Sequence, residues 1–541
     1  MSIKVNAKLV RNAGLILAIL VYSLIRFTII RQGQLIGASY FFSTFDFIMI
    51  FIIGGTFCVL DVVSKHVKAH MDLDCFKNAK KVLIYGAMLA FGYSALISAV
   101  ILALQDSICH FFIAGDNCKL TLLLLLPMFI FVSISAAFKG FFIGAKLSKQ
   151  ADLGLAAEMV ISLIAVILVS SLFAKQGEKV AAVMFDYKIH NAYLSAGAAL
   201  GLSIGAGIGL ILDIVMFVMT SRRLVRIDET RRMVDIYDLS IQMMSEMLFL
   251  GLAMCLPLTS VLTGQVIYLK NMSSGVDGID LYAAGSYFGV FGSLVTCIVL
   301  FTYVYSFFDK KALALAYEDN NKQELRSKVN NMIKLFFMYA LPFVIMFIVL
   351  ADVLCQGVMG VDSALSTNII RTGAFAVVFY AFGIMFMNVL VALNKTLVAV
   401  VDGIIALVLF IFFTLFLLGK FSLGTNGLVM GFYAFSIIYA VLIYMSACSG
   451  LKSSPKLING LLGPIVMTGI IGVISLALRL ILGLFAPALV TVIVTLLISM
   501  IAMFILYVKL GITDYHHVCK SPISFILVPF GQIIGIFKHS R

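Results

Sequence analysis

Five polar side chains interrupt long apolar runs, and a sixth lies just beyond one. Arg26 breaks VYSLIRFTII, and Arg31 follows it closely. A guanidinium is planar, permanently charged and able to hold a phosphate through two parallel hydrogen bonds. Arg26, with Arg31, is therefore the leading candidate contact for an anionic substrate; snorkelling to the nearer interface is the plainer alternative. Glu158 sits about two turns into another apolar run. An ionisable group at that depth costs about 2–3 kcal/mol or more, so it needs a cavity or a partner, and it joins the substrate-contact candidates. Glu246, Asn388 and Asp402 offer oxygens to a coupling cation, Na+ or H+. Helix capping or hydrogen bonding between helices competes with that role, and is preferred for Asn388. No phosphate-binding loop, Ser-His-Asp set or metal cluster accompanies these residues, so the chain reads as a non-enzyme without a cofactor. The nine cysteines have no metal-ligand spacing, although Cys109 and Cys118 share one loop and could pair.

The surroundings of these residues are hydrocarbon-like. Of 541 residues, 62% are hydrophobic and 12% charged, with a mean hydropathy of +1.11. A span needs about 20 apolar residues, and the chain is filled with continuous runs of that length. Alternating β-barrel strands are excluded by the same continuity. The pattern predicts an all-α polytopic membrane protein of about fourteen helices. The first run, 9–30, is too long for a signal segment and counts as a retained helix. The net charge of +13 does not point to nucleic acid, because its basic residues cluster on alternate loops. Examples are Lys65/Lys68/Lys77/Lys80/Lys81, Arg222/Arg223/Arg226/Arg231/Arg232 and Lys310/Lys311/Lys322/Arg326/Lys328. That asymmetry puts both termini in the cytoplasm and leaves anionic membrane lipids as the only partner implied by charge.

The helices fall into an order. Ala136 to Glu158, AAFKGFFIGAKLSKQADLGLAAE, is a hydrophobic hairpin with a basic turn. Its lysines, Lys139, Lys146 and Lys149, are assigned to orientation rather than substrate contact. A similar stretch, GIMFMNVLVALNKTLVAVVD, returns later and places Asp402 at about the depth of Glu158. In SAGAALGLSIGAGIGLILD, Gly197, Gly201, Gly205 and Gly209 recur every four residues, which predicts close helix packing. A basic linker near 220–238 separates six spans from six more. The reading is a lobe over 1–225, a second over 226–450, and two further helices with an amphipathic tail over 451–541. The even count per lobe makes them parallel repeats. Pro257 predicts a bend in the seventh helix.

KGFFIGAKLSKQADLGLAAE followed by AGAALGLSIGAGIGLIL resembles blocks of the SpoVB-type polysaccharide exporters, and so do the ALALAYEDNNKQEL linker and GGTFCVLDVVSK. These exporters belong to the MOP superfamily, with the MurJ lipid II flippases and the MATE antiporters. The resemblance spans roughly residues 10–450 and departs where Ile143 replaces the family glutamine and Ser162 a frequent arginine. It implies fourteen helices in two six-helix lobes. It also implies a flippase of a polyprenyl-pyrophosphate-linked sugar, lipid II or a polysaccharide repeat unit, in the bacterial plasma membrane. The chain is expected to act as a monomer. A cation-coupled small-molecule antiporter of the MATE branch is the alternative. It would carry a carboxylate on the first helix, where this chain has Arg26. A non-transporting partner in envelope assembly is the third reading.

Overall fold

The computed structural model describes residues 7–112, 115–224, 235–272, 279–319, 321–421, 424–451 and 457–509. Much of the basic linker and the 510–541 tail, read as amphipathic, lie outside the described residues. Within them the chain is helical: α1 (Ala7–Ile52), a π-helical turn (Ile53–Phe57), α2 (Cys58–Met71), α3 (Phe76–Ala103), α4 (Gln105–Phe112), α5 (Lys119–Gly144), α6 (Ser148–Met184), α7 (Lys188–Leu224), α8 (Ile236–Met272), α9 (Ile279–Ala284), a second π-helical turn (Gly285–Phe291), α10 (Gly292–Glu318), α11 (Lys322–Leu354), a third (Cys355–Met359), α12 (Ala364–Ala392), α13 (Thr396–Phe421), α14 (Gly424–Leu451), α15 (Leu457–Gly483) and α16 (Ala488–Lys509).

Thirteen described stretches are long and apolar enough to cross a membrane, and the first of them runs from Gly14 to Met71. That stretch contains two crossings. A continuous helix would hold residues 26 and 46 about 30 Å apart, yet Arg26 Nη1 lies 3.6 Å from Asp46 Oδ1. The chain reverses at Gln34, whose φ of 50° and ψ of −159° leave the helical region. Counting both crossings gives fourteen spans, as the hydropathy pattern predicts, in a polytopic membrane protein. Large apolar side chains such as Leu96, Phe412 and Val473 point outward, as they should where lipid replaces water.

Two compact units divide the chain, one over Gly14–Gly289 and the other mainly from Val290 onward. In the first, α5, α6 and α7 form a tight trio, and α8 packs on α2 and on the π-helical turn before it. A β-carbon at Gly251 would stand 2.7 Å from the carbonyl oxygen of Gly54, so the two backbones meet there without an intervening side chain. In the second, α11 is flanked by α12, α15 and α16. Leu335, Met338, Tyr339 and Met346 of α11 pack against Met467, Ile471, Met503 and Tyr507 of the last two helices. The Tyr507 hydroxyl donates to the Met338 carbonyl at 2.9 Å, and Arg479 of α15 pairs with Asp352 of α11. Cys109 and Cys118 are buried free thiols rather than a disulfide.

Candidate functional site

The glycine row of α7 builds a buried polar site in the first unit. Small residues every four positions let α6 approach along its length, and the facing residues can be paired off. A β-carbon at Gly197 would strike Ser170, one at Gly201 Val166, one at Gly205 Ser162 and one at Gly209 Glu158. One step further, the side chain changes helix: α7 now carries Asp213, and α6 carries Gly154. A β-carbon at Gly154 would lie 2.5 Å from Asp213 Oδ1. The row thus ends by laying two carboxylates side by side, one from each helix.

The third helix of the trio supplies their counter-charge. Lys139 of α5 donates to Glu158 Oε2 and to Ser135 Oγ at 2.7 Å, and stands 3.6 Å from Asp213 Oδ2. Ser135 Oγ lies 2.6 Å from the same Asp213 oxygen. All four side chains are buried. Lys139 was expected to signal orientation from a wet surface, and that expectation is corrected here. Its ammonium is sealed between helices because a carboxylate within reach offsets the cost of desolvation, whereas Lys146 remains outside and pairs with Asp72 at 2.8 Å. Glu158 was expected to contact substrate; its carboxylate is committed to Lys139. Asp213 escaped the sequence reading, although the period-four row of glycines, extended by one step, ends on it.

Arg26 forms a second buried polar site. It is 2% exposed and pairs with Asp46, which the reversal at Gln34 brings alongside. Its Nη1 lies 3.4 Å from the Tyr22 hydroxyl. Its guanidinium carbon sits 4.2 Å above the Phe42 ring and 5.8 Å from that of Phe45, where the ring quadrupoles attract it. Arg26 is therefore held by protein groups and does not snorkel to water. Arg31, one to two turns on, is exposed.

The remaining candidates stand apart from one another. Glu246 of α8 pairs with Lys65 of α2 at 3.0 Å and faces His66 Nε2 at 3.5 Å, which joins the two helices. Asn388 is buried in α12, and Asp402 is buried in α13. Ser446 of α14 lies close to the Asp402 carboxylate, whose Oδ2 has no hydrogen-bond partner.

The two hairpin turns have matching backbone geometry. Lys146 and Asn394 both adopt positive φ, 63° and 56°. The N–H of Leu147 reaches the Phe142 carbonyl at 2.7 Å as that of Lys395 reaches the Leu390 carbonyl at 2.9 Å. On this register Asp402 corresponds to Gly154, and Glu158 to Ala406, about one helical turn deeper. The two carboxylates do not share a level, contrary to their apparent match in sequence. Lys139 corresponds to Met387 and Ser135 to Gly383, so the ionic trio has no counterpart in the second unit.

Solved structures share this architecture. The chain is similar to an inward-facing multidrug-resistance MATE transporter of the MOP superfamily, with a TM-score of 0.57 at 13% identity, covering 83% of this chain and 98% of that one. It is similar to a MOP-superfamily transporter from Pyrococcus furiosus noted for the reverse polarity of its binding pocket, with a TM-score of 0.58 at 14% identity over 82% and 97%. It is also similar to the eukaryotic MATE transporter AtDTX14, with a TM-score of 0.60 at 13% identity over 82% and 97%. At such identities the likeness is one of fold. No family model and no curated protein sequence matches the chain.

Proposed function

We propose that the protein is a membrane transporter that moves a polyprenyl-pyrophosphate-linked sugar across the bilayer by alternating access. The observation that carries this reading is Arg26: a guanidinium enclosed within a span, balanced by Asp46 at 3.6 Å and faced by Phe42. A permanent cation in that position is costly to keep, and an anionic cargo gives it a use. A pyrophosphate of about two negative charges cannot cross hydrocarbon unaided. It can exchange with Asp46 for the guanidinium fork, which suits phosphate better than a point charge does, while the lipid tail stays in the membrane. An inside-negative potential favours outward movement of an anion by about 2.3 kcal/mol per charge per 100 mV. The repeats over 1–225 and 226–450 are the proposed moving parts, and the plasma membrane with cytoplasmic termini is the proposed setting.

The MATE-like alternative gains from one observation. The sequence has no carboxylate on the first span, but the turn at Gln34 delivers Asp46 to it from the second. A cation-coupled exporter could use that carboxylate in place of one on the first helix, and the shared fold is in keeping with it.

Reconstituted liposomes separate the two. With a fluorescent polyprenyl-pyrophosphate-linked sugar, the parent protein should translocate the lipid, and Arg26→Ala should lose most of the rate while Arg26→Lys keeps part of it. Equal rates in Arg26→Ala and parent would remove Arg26 from substrate contact. Export of cationic dyes without movement of the lipid-linked sugar would establish the antiporter instead.

A further inference from the structure

We propose that the Lys139–Glu158–Asp213 cluster is a proton-binding site, in which Asp213 holds one exchangeable proton beside a Lys139–Glu158 ion pair. Charge balance is the first argument. One ammonium faces two carboxylates, and all three groups are buried. Ionising both acids would leave a net negative charge away from water, which is far more costly than taking up a proton. Geometry then selects the acid. Lys139 is hydrogen-bonded directly to Glu158 but lies 3.6 Å from Asp213. Asp213 is 0% exposed, and its Oδ1 has no hydrogen-bond partner. An unpartnered oxygen is tolerable as the carbonyl of a neutral acid and costly as half of a carboxylate. A neutral Asp213 can donate through Oδ2 to Ser135 Oγ, 2.6 Å away, because a hydroxyl oxygen accepts as readily as it donates.

A proton fits here where a metal ion does not. Oδ1 faces the α-carbon side of Gly154, with the Met216 methyl also within 2.9 Å of a β-carbon built there, and neither offers an oxygen ligand. No described group of three His, Cys, Asp or Glu residues could hold a metal. The charged groups facing Asp213 are Lys139 from α5 and Glu158 from α6, and its other neighbours on this level are Gly154, Gly209, Met216 and Ser135. Deprotonation sends the proton to water and leaves Lys139 shared between two carboxylates. Met387, Ala406 and Gly383 occupy the matching positions of the second unit, so the store belongs to the first unit alone. The site is defined whatever the cargo.

Infrared difference spectroscopy on the purified full-length protein in nanodiscs, in H2O and D2O across pH, tests it. The parent should show a protonated-carboxyl C=O band that shifts in D2O. Asp213→Asn should lose it. Glu158→Gln should lose it too, since one ammonium then faces one carboxylate. Lys139→Met should roughly double it, because both acids then need protons. Asp213→Asn substitutes one neutral side chain for another of the same shape, so it should keep the parent's circular dichroism and melt within a few degrees of it. Absence of the band from the parent at every pH, or its persistence in both Asp213→Asn and Glu158→Gln, would overturn the proposal. So would a Na+-dependent rise in melting temperature that Asp213→Asn abolishes without any change in the acid region.

Discussion

Lys139→Met measures what the buried ion pair contributes. Methionine keeps most of the side-chain volume and removes the charge, and it is the residue at the matching position of the second unit. Glu158 then stays between α6 and α7, where Gly209 leaves no room to swing: a β-carbon there would already lie 2.7 Å from Glu158 Cγ. Removing one partner of a buried pair costs about 3–5 kcal/mol, because the survivor must either stay charged without a partner or take up a proton at a pH where a free carboxyl is ionised. At about 1.4 kcal/mol per tenfold, the unfolding constant should rise by two to four decades. Replacing both partners with apolar or neutral groups is close to neutral, so Lys139→Met with Glu158→Gln should recover most of the loss. The cycle should return a coupling of at least about 2 kcal/mol. The chain has no tryptophan, so equilibrium unfolding in mixed micelles with increasing dodecyl sulfate is best followed by far-ultraviolet circular dichroism. A single variant within about 1 kcal/mol of the parent, or a double variant no better than the single, would refute the account of Lys139 as the counter-charge of Glu158.

Gly201→Ala should cost about 1–3 kcal/mol in the same assay, since its β-carbon would lie 2.6 Å from the Val166 α-carbon and only backbone can give way; an unchanged midpoint would mean α6 and α7 pack more loosely than the facing rows require. Glu246→Gln should change stability by no more than about 1 kcal/mol, because the pair with Lys65 is partly exposed and screened; loss of Na+ or H+ dependence of transport in this variant would restore Glu246 as a coupling residue. Asp72, hydrogen-bonded to Lys146, is held below its ordinary value of 3.8. Its pairing therefore contributes above that value and is lost as pH falls through the lower folded value, so Asp72→Asn should flatten the acid limb of a stability profile below about pH 4. A profile unchanged in shape would show that the pair contributes nothing measurable.

Much of the architecture was legible in local patterns. Continuous apolar runs specify spans because a bilayer leaves a helix no other way to satisfy its backbone. The hairpin at Lys146 and the four glycines of α7 are likewise properties of short segments. The partners of buried charges are not. Lys139 sits beside Gly140, Gly144, Lys146 and Lys149 in a basic turn, and nothing within its own helix distinguishes a sealed ammonium from a wet one. Asp213 Oδ2 meets Ser135 across 78 residues of chain, and Arg26 finds Asp46 only because Gln34 reverses the backbone between them. Composition and periodicity determined that this is a bundle of membrane-spanning helices and which residues are costly to bury there. Tertiary structure decided which of those costs are offset, and by what, because Coulomb energy and hydrogen bonding depend on distances of a few ångströms in space, which spacing along the sequence does not set.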